Sequence, residues 1–343
     1  MQKNKIISIN KIEPDISIKK PTLNNILVLG SGMVARPGIQ YLLKQKHLNV
    51  TVASRNREKA RKIINGFDNG KAVQIKIDNK KAVENLIKKH DIVISLLPWV
   101  FHTKIAKLCL KNNKHMATAS YVKPEMKALD TEAQKKDLLI LNEMGVDPGI
   151  DHMSAMKIID EVKAEGGKIL SFHSFCGGLP APENNDNPFG YKFSWSPKGV
   201  LLASRNSAKY LKDNKEVNIP GKELFLNITQ EEVKGLGKFE VYPNRDSLQY
   251  KKIYNLDNAK TIMRGTYRNL GWCETLKAIG DLGLLDSSPH KKLKGISYRK
   301  MMSKLIKSYF QKNIEKKIAK KLKISLKSDI MKRLTWLGLF IKR

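Results

Sequence analysis

Cysteine is scarce in this chain, and what there is stands alone. Cys109, Cys176 and Cys273 form no C-x-x-C pair and no even-numbered framework. Reduced thiols and a cytoplasmic setting are the simplest expectation. Long apolar runs are also missing, since none approaches the ~18 residues of a membrane span, so no membrane partner is expected. No His, Cys or carboxylate cluster has ligand spacing, so no metal is expected either. Acids are half as numerous as bases, 32 Asp and Glu against 64 Lys and Arg, for a net charge of +32. Such a surface can neutralise phosphates. The lysines are scattered, however, with no RNP-like, zinc-finger or recognition-helix pattern, and 18 of the Lys and Arg lie in residues 291–343. The excess reads as compositional bias on solvated helix faces rather than as a nucleic-acid surface. It can still draw in small anions.

What the sequence does contain is a strand that runs into a glycine turn. Residues 26–29 are four consecutive apolar residues, a pattern of buried parallel strands. They lead into Gly30-Ser31-Gly32-Met33-Val34-Ala35, a G-x-G-x-x-A match, and then into an apolar pattern of helical spacing at Ile39, Leu42 and Leu43. In that context Gly30 permits the tight turn and Gly32 lets the backbone approach a pyrophosphate. The small Ala35 lets the helix pack close to the strand. Further apolar runs at 50–53, 72–77, 91–97, 115–119 and 138–141 alternate with helical patterns at 58–64, 82–89, 102–110 and 124–135. That rhythm predicts an α/β fold, a Rossmann doubly wound parallel sheet with ligands beyond the carboxyl ends of its strands.

The end of the second strand bears on which nucleotide is bound. An NAD site places an acid there for the ribose 2′-hydroxyl, but the sequence reads Ala53-Ser54-Arg55-Asn56. Arg55 offers a donor fork for a 2′-phosphate, flanked by Ser54 and Asn56. Taken alone it could equally be a solvated arginine. The missing acid favours NADP.

After residue 141 the rhythm changes. A turn-rich joint from Gly145 to His152 leads to a predicted helix over 153–163, a strand over 168–175 and a Gly- and Pro-dense loop over 176–183. A helix near 198–211, strands near 238–242 and 259–267 and a helix over 272–284 complete a second, mixed α+β domain. Beyond Pro289, Met301, Leu305, Tyr309, Ile314, Ile318 and Leu322 fall at helical spacing between lysines. This stripe is expected to pack on its own domain rather than on a membrane. The expected organisation is an N-terminal extension over 1–23, a Rossmann domain over 24–145, a substrate domain over 146–290 and a basic helical tail over 291–343.

The stretches GSGMVARP, VTVASR, TASYVKP, NEMGVDPGIDH, SFCGGLPAPE, YKFSWSPKG, YPNRDS and IMRGTYR strongly resemble the NADP-dependent, L-glutamate-forming saccharopine dehydrogenases, also called saccharopine reductases. The likeness runs over roughly residues 24–285, and WLGLF near the end also resembles a family segment. The resemblance implies an oxidoreductase of lysine metabolism. It would interconvert saccharopine with α-aminoadipate semialdehyde plus glutamate by hydride transfer to or from an imine. It implies that Gly30 to Arg36 shape the diphosphate region, and that Ser54, Arg55 and Asn56 hold the 2′-phosphate. Asp78 and Asn79 would lie by the adenine and Leu97 beneath the cofactor. Ala119, Ser120, Val146, Asp147, Pro148 and Ser196 would line the nicotinamide side, and Ser120, Tyr121, Asp147, Arg245, Thr266 and Arg268 would bind the substrate.

Asp147, Tyr121 and Cys176 are the candidate catalytic residues. Asp147 could exchange a proton with the substrate amine or be a turn residue before Pro148. Tyr121 could donate to a substrate carboxylate, and Cys176 reads more as a small buried hydrophobe than as a proton carrier. The family pattern continues past WLGLF, so the resemblance implies a chain shorter than its relatives at the C-terminus. On that basis a homodimer or a complementing C-terminal chain is expected as partner, besides the small-molecule substrate. The rival readings are a truncated, non-catalytic paralogue that binds a dinucleotide or another anion, and a related imine reductase such as a carboxynorspermidine synthase.

Overall fold

The computed structural model describes residues 24–289 and 293–342. The extension expected over 1–23 lies outside them. The described chain divides into two compact units, one formed by residues up to 31, 35–117 and 123–141, the other by 32–34, 118–122 and 142 onward.

The first unit alternates strand and helix: β1 (Asn25–Leu29), α1 (Ala35–Leu43), β2 (Asn49–Ser54), α2 (Arg57–Ile64), β3 (Gly70–Gln74), α3 (Lys80–Lys88), β4 (Ile92–Ser95), α4 (His102–Lys111), β5 (His115–Thr118), α5 (Pro124–Lys127), α6 (Asp130–Lys135) and β6 (Ile140–Leu141). The strands line up as β3-β2-β1-β4-β5-β6, the doubly wound order, with the chain reversing direction beside β1. Central β1 buries residues on both faces: Leu27 and Leu29 pack into one apolar cluster, Ile26 and Val28 into the other. Burying each such side chain contributes ~1.5–3 kcal/mol, and this explains a strand with no polar alternation. The Asp91 carboxylate accepts from the backbone N–H groups of Asn24 and Asn25 and pins the entry to β1. The single helix expected over 124–135 is broken into α5 and α6.

The second unit contains α7 (Ile150–Ala164), β7 (Ser171–Cys176), α8 (Pro197–Ala203), β8 (Ala208–Lys212), β9 (Lys215–Ile219), β10 (Thr229–Val233), β11 (Gly237–Pro243), α9 (Gln249–Ile253), β12 (Thr261–Arg268), α10 (Trp272–Asp281), α11 (Tyr298–Leu305), α12 (Ile314–Leu322) and α13 (Asp329–Trp336). Its mixed sheet runs β10-β11-β12-β8-β9, with β7 added parallel to β12. The helix expected over 198–211 is corrected: α8 ends at Ala203, and a hairpin of β8 and β9 follows. Asp213 and Asn214, both at positive φ (48° and 63°), form its two-residue turn. That conformation suits Asp and Asn and matches the twist of the flanking strands.

The segment expected as a basic helical tail packs against α10. Met302, Ile314, Ile318, Met331 and Leu334 are buried in the same cluster as Trp272 and Leu276 of α10. The apolar stripe covers its own domain, but as two short helices, α11 and α12. Lys307 and Asn313 at positive φ interrupt it, and Tyr309 leaves it altogether, 92% exposed. Arg333 ties α13 down through bonds to the carbonyls of Pro188 and Gly271 and to the Thr275 hydroxyl. Among the described residues no helix is long and apolar enough to cross a membrane, and no group of three His, Cys or carboxylate side chains is placed to hold a metal ion.

Candidate active site

At the carboxyl edge of the first sheet the site is made of backbone. Gly30 sits at φ +117°, and a Cβ on it would lie 2.9 Å from the Leu96 carbonyl oxygen. Only glycine lets β1 turn this close to β4. A Cβ on Gly32, by contrast, would meet no protein atom within 4 Å. Met33 and Val34 are exposed, as is Arg36 at the start of α1. The Ser31 and Ser54 hydroxyls share a hydrogen bond of 2.6 Å, which joins the glycine turn to the end of β2.

Arg55 follows on that end, exposed and without an ion pair among the described residues, and no acid stands beside it. Asn56 caps α2 by accepting from the Lys59 N–H, and Asn79 caps α3 by accepting from Ala82. Exposed Asp78 precedes that cap, and Leu97 packs partly against the core behind β4.

The second unit holds a buried cluster of charge. A tight turn places Asp147: the Gly145 N–H donates to the Pro148 carbonyl at 2.9 Å, and the Asp151 N–H to that of Val146 at 3.0 Å. The Asp147–Pro148 peptide is cis, and Gly149 has φ +148° with no room for a side chain. A Cβ there would fall 2.1 Å from the Gly145 carbonyl oxygen. Asp147 Oδ1 accepts from the Tyr121 hydroxyl at 2.6 Å and from Arg264 Nη2 at 2.7 Å. The same nitrogen donates to Asp151 Oδ2 at 2.6 Å, and Nη1 donates to the Tyr250 hydroxyl at 2.6 Å. Arg264 is 5% exposed. Burial works against its charge, but the neighbouring Tyr121 and Asp147 more than offset this and hold the guanidinium firmly protonated.

Around that hub, burial first and the Asp147 carboxylate second push the Tyr121 phenol well above its ordinary range. The Cys176 thiol at the end of β7 is pushed up by burial and then by Asp147 and Asp151, which makes it a poor nucleophile. Arg245, at positive φ, lays its guanidinium 5.0 Å from the centre of the Tyr121 ring. His152 stacks on Tyr250, bonds the Tyr254 hydroxyl through Nδ1, and approaches Glu143 at 3.1 Å through Nε2. Glu143 in turn accepts from the Val122 N–H at 2.9 Å and donates its own N–H to the Ser120 carbonyl at 3.1 Å. It thereby clamps the segment that carries Tyr121.

Arg268 stands apart from this hub. On β12 it lies four residues beyond Arg264, about 13 Å at ~3.3 Å per residue. It is 6% exposed, within 5.1–5.7 Å of the Tyr191, Tyr242 and Trp272 rings, and its Nε has no hydrogen-bond partner among the described residues. Thr266 lies between the two arginines, paired with Tyr242 on one side and Cys176 on the other. Ser196 caps α8 through the Gly199 N–H. Ala119 packs near Gly145, Pro148 is buried, and Val146 is 65% exposed.

The structure thus brings Tyr121, Asp147, Cys176 and Arg245 into one neighbourhood and puts Arg268 in a separate aromatic box. Sequence reasoning missed Arg264, Asp151, Tyr250, His152 and Glu143. One signal was available: Arg264, Thr266 and Arg268 share strand parity, so two arginines fall on one face of a buried strand.

Residues 26–141 match the saccharopine dehydrogenase NADP binding domain, and residues 145–340 match the saccharopine dehydrogenase C-terminal domain. The chain is 43% identical over 325 residues to saccharopine dehydrogenase [NADP(+), L-glutamate-forming] of Schizosaccharomyces pombe, covering 92% of this chain and 72% of that protein. It is 40% identical over 276 residues to mouse mitochondrial alpha-aminoadipic semialdehyde synthase, covering 80% of this chain and 30% of that protein. The apo structure of the L-Glu-forming saccharopine dehydrogenase from Saccharomyces cerevisiae superposes with a TM-score of 0.80 at 39% identity, over 93% of this chain and 73% of that one. The chain belongs to the saccharopine dehydrogenase family.

Proposed function

We propose that this chain is an NADP-dependent oxidoreductase that interconverts saccharopine with α-aminoadipate semialdehyde and L-glutamate in lysine metabolism, a reading supported by relatives named as NADP-dependent, L-glutamate-forming saccharopine dehydrogenases and as an alpha-aminoadipic semialdehyde synthase. The observation that carries the reading is Asp147, a half-buried carboxylate whose Oδ1 is held by Tyr121 and Arg264.

The first unit fits the nucleotide. The β2 end offers Ser54, Arg55 and Asn56 where an acid would repel a 2′-phosphate, and a Cβ built on Gly32 would meet nothing within 4 Å among the described residues. Gly30 to Arg36 would hold the diphosphate and Arg55 the 2′-phosphate. When bound, the nicotinamide supplies the hydride acceptor or donor.

The side chains of the second unit manage the substrate. In the oxidising direction the carbon beside the secondary amine gives up a hydride, and the amine nitrogen gives up a proton. Water then adds to the resulting imine carbon, and the C–N bond breaks to release glutamate and the semialdehyde. Asp147 Oδ2, which takes neither the Tyr121 nor the Arg264 bond, is assigned the proton. Tyr121 keeps its own proton, since burial and Asp147 both oppose its ionisation, and so serves as a fixed donor. Arg245 and Arg268, some distance apart on the unit, are assigned carboxylates of an extended polyanion. The free thiols of Cys109, Cys176 and Cys273 support a reducing, cytoplasmic location.

Purified chain should oxidise NADPH only when both α-aminoadipate semialdehyde and glutamate are present. Thermal stabilisation by NADPH with no turnover would instead identify a non-catalytic nucleotide-binding relative.

A further inference from the structure

One guanidinium nitrogen in the buried cluster serves two carboxylates. Arg264 Nη2 donates to Asp147 Oδ1 at 2.7 Å and to Asp151 Oδ2 at 2.6 Å. Asp151 cannot swing away from this contact. Its other oxygen, Oδ1, accepts the Gly149 N–H at 2.7 Å, and it sits in the first turn of the fifteen-residue α7, where the helix end favours a negative charge. Nη1 donates to the Tyr250 hydroxyl, while the buried Nε has no hydrogen-bond partner among the described residues.

This arrangement answers a chemical difficulty of the proposed reaction. A carboxylate paired one-to-one with a buried arginine is strongly stabilised as the anion and is a weak proton acceptor. A second, anchored carboxylate on the same guanidinium nitrogen adds a like charge beside the first and weakens that stabilisation.

We propose that Asp151 is a positioning residue that shares the Arg264 guanidinium with Asp147 and thereby limits how tightly the arginine holds the carboxylate that takes the proton of the substrate's secondary amine. The inference rests on the reading of Asp147 as proton acceptor. The other groups that face the pair are Tyr121 from the 118–122 segment, Glu143 and His152 around the turn and α7, Cys176 at the end of β7, Tyr250 and Tyr254 at α9, and Arg245 over the Tyr121 ring. Tyr121 also interacts with both Asp147 and Arg264, but among the described residues Asp151 alone places a second carboxylate on Arg264 Nη2.

The test is the pH dependence of kcat/KM for saccharopine oxidation by the full chain carrying Asp151→Asn or Arg264→Gln. Asparagine retains an oxygen for the Gly149 N–H but loses the charge. Its acid limb should move down by roughly one pH unit with a several-fold lower plateau, because Asp147 then has Arg264 to itself. Arg264→Gln removes the cation, and its limb should move up by a similar amount. Arg264→Lys, which keeps the charge, stands in if the glutamine variant does not fold, and its limb should move less than a half unit or so. Limbs that move in the same direction, or lower rates with unmoved limbs, would mean a structural role only. Asp147→Asn separates the two levels. If it keeps its rate, the proton-acceptor reading fails and this inference with it. If it is inactive while both limbs stay put, only the sharing by Asp151 is overturned.

Discussion

At the carboxyl edge of the first sheet the working surface is main chain and strand ends: Gly30 turned at positive φ, and exposed polar groups where β2 gives way to α2. In the second unit the working surface is a buried knot of hydrogen-bonded polar side chains, with Arg264 at its centre and Tyr121, Asp147, Asp151 and Tyr250 around it. A main-chain site restricts residue type at fixed spacing. A side-chain knot is assembled from positions as far apart as 121 and 264, and no spacing rule connects them. The first kind suits a nucleotide cofactor, and the second suits a charged substrate that must exchange a proton.

Four changes would break or sharpen this contrast. The largest effect is expected from Gly149→Ala. At φ +148°, with a Cβ falling 2.1 Å from the Gly145 carbonyl oxygen, the turn that presents Asp147 cannot keep its shape. A loss of ~3 kcal/mol or more in unfolding free energy and collapse of turnover should follow. Denaturant melts and saccharopine oxidation would check it, and an unchanged melt would mean that the turn adapts.

Next comes a pH effect confined to the first unit. His102 is buried 2.9 Å from the Ser95 hydroxyl, and burial lowers its pKa from 6.5 to about 4. Below pH ~6.5 the unfolded chain takes up a proton that the native state refuses. This contribution to stability is therefore intact above pH 6.5, declines as pH falls, and is gone by about pH 4. It is worth up to about 3 kcal/mol. Melting curves of wild type and His102→Gln between pH 4 and 7 should diverge in that window, with the wild type losing more stability toward acid. Parallel curves would show that His102 is protonated in the native state.

Much of the first unit was legible in the sequence for a physical reason. Parallel strands buried on both faces must be apolar throughout, as in 26–29, and a turn that admits a pyrophosphate must be glycine. The β8–β9 hairpin was harder to see, because Ala208–Lys212 has the composition of a helix and only the Asp213-Asn214 turn marks the strand pairing. The tail's apolar stripe was visible, but its breaks at Lys307 and Asn313 were harder to see, since lysine gives no sign of a left-handed backbone and a single Asn between apolar positions is only a weak one. Arg264 and Asp151 sat inside stretches already singled out, yet nothing local says that an arginine in a strand and an aspartate in a helix share a nitrogen.

The two smaller effects separate the sites by ligand. Arg55→Asp should weaken NADPH binding by roughly 10–100-fold and shift preference toward NADH, the loss of a charge-assisted hydrogen bond. Fluorescence titration with both nucleotides would show it, and equal affinities before and after would remove Arg55 from the phosphate site. Arg245→Ala removes only an exposed cation beside Tyr121. A rise of roughly two- to fivefold in saccharopine KM with little change in kcat is expected. A fall in kcat alone would place Arg245 in the chemistry rather than in binding.

The most direct test of the central claim follows an atom. The chain is supplied with NADPH carrying deuterium at the transferring position, together with α-aminoadipate semialdehyde and glutamate, and the saccharopine formed is analysed by mass and NMR. One deuterium on the carbon that had been the aldehyde, next to the secondary amine, is the predicted result. Saccharopine without that label, or NADPH left unoxidised, would contradict it.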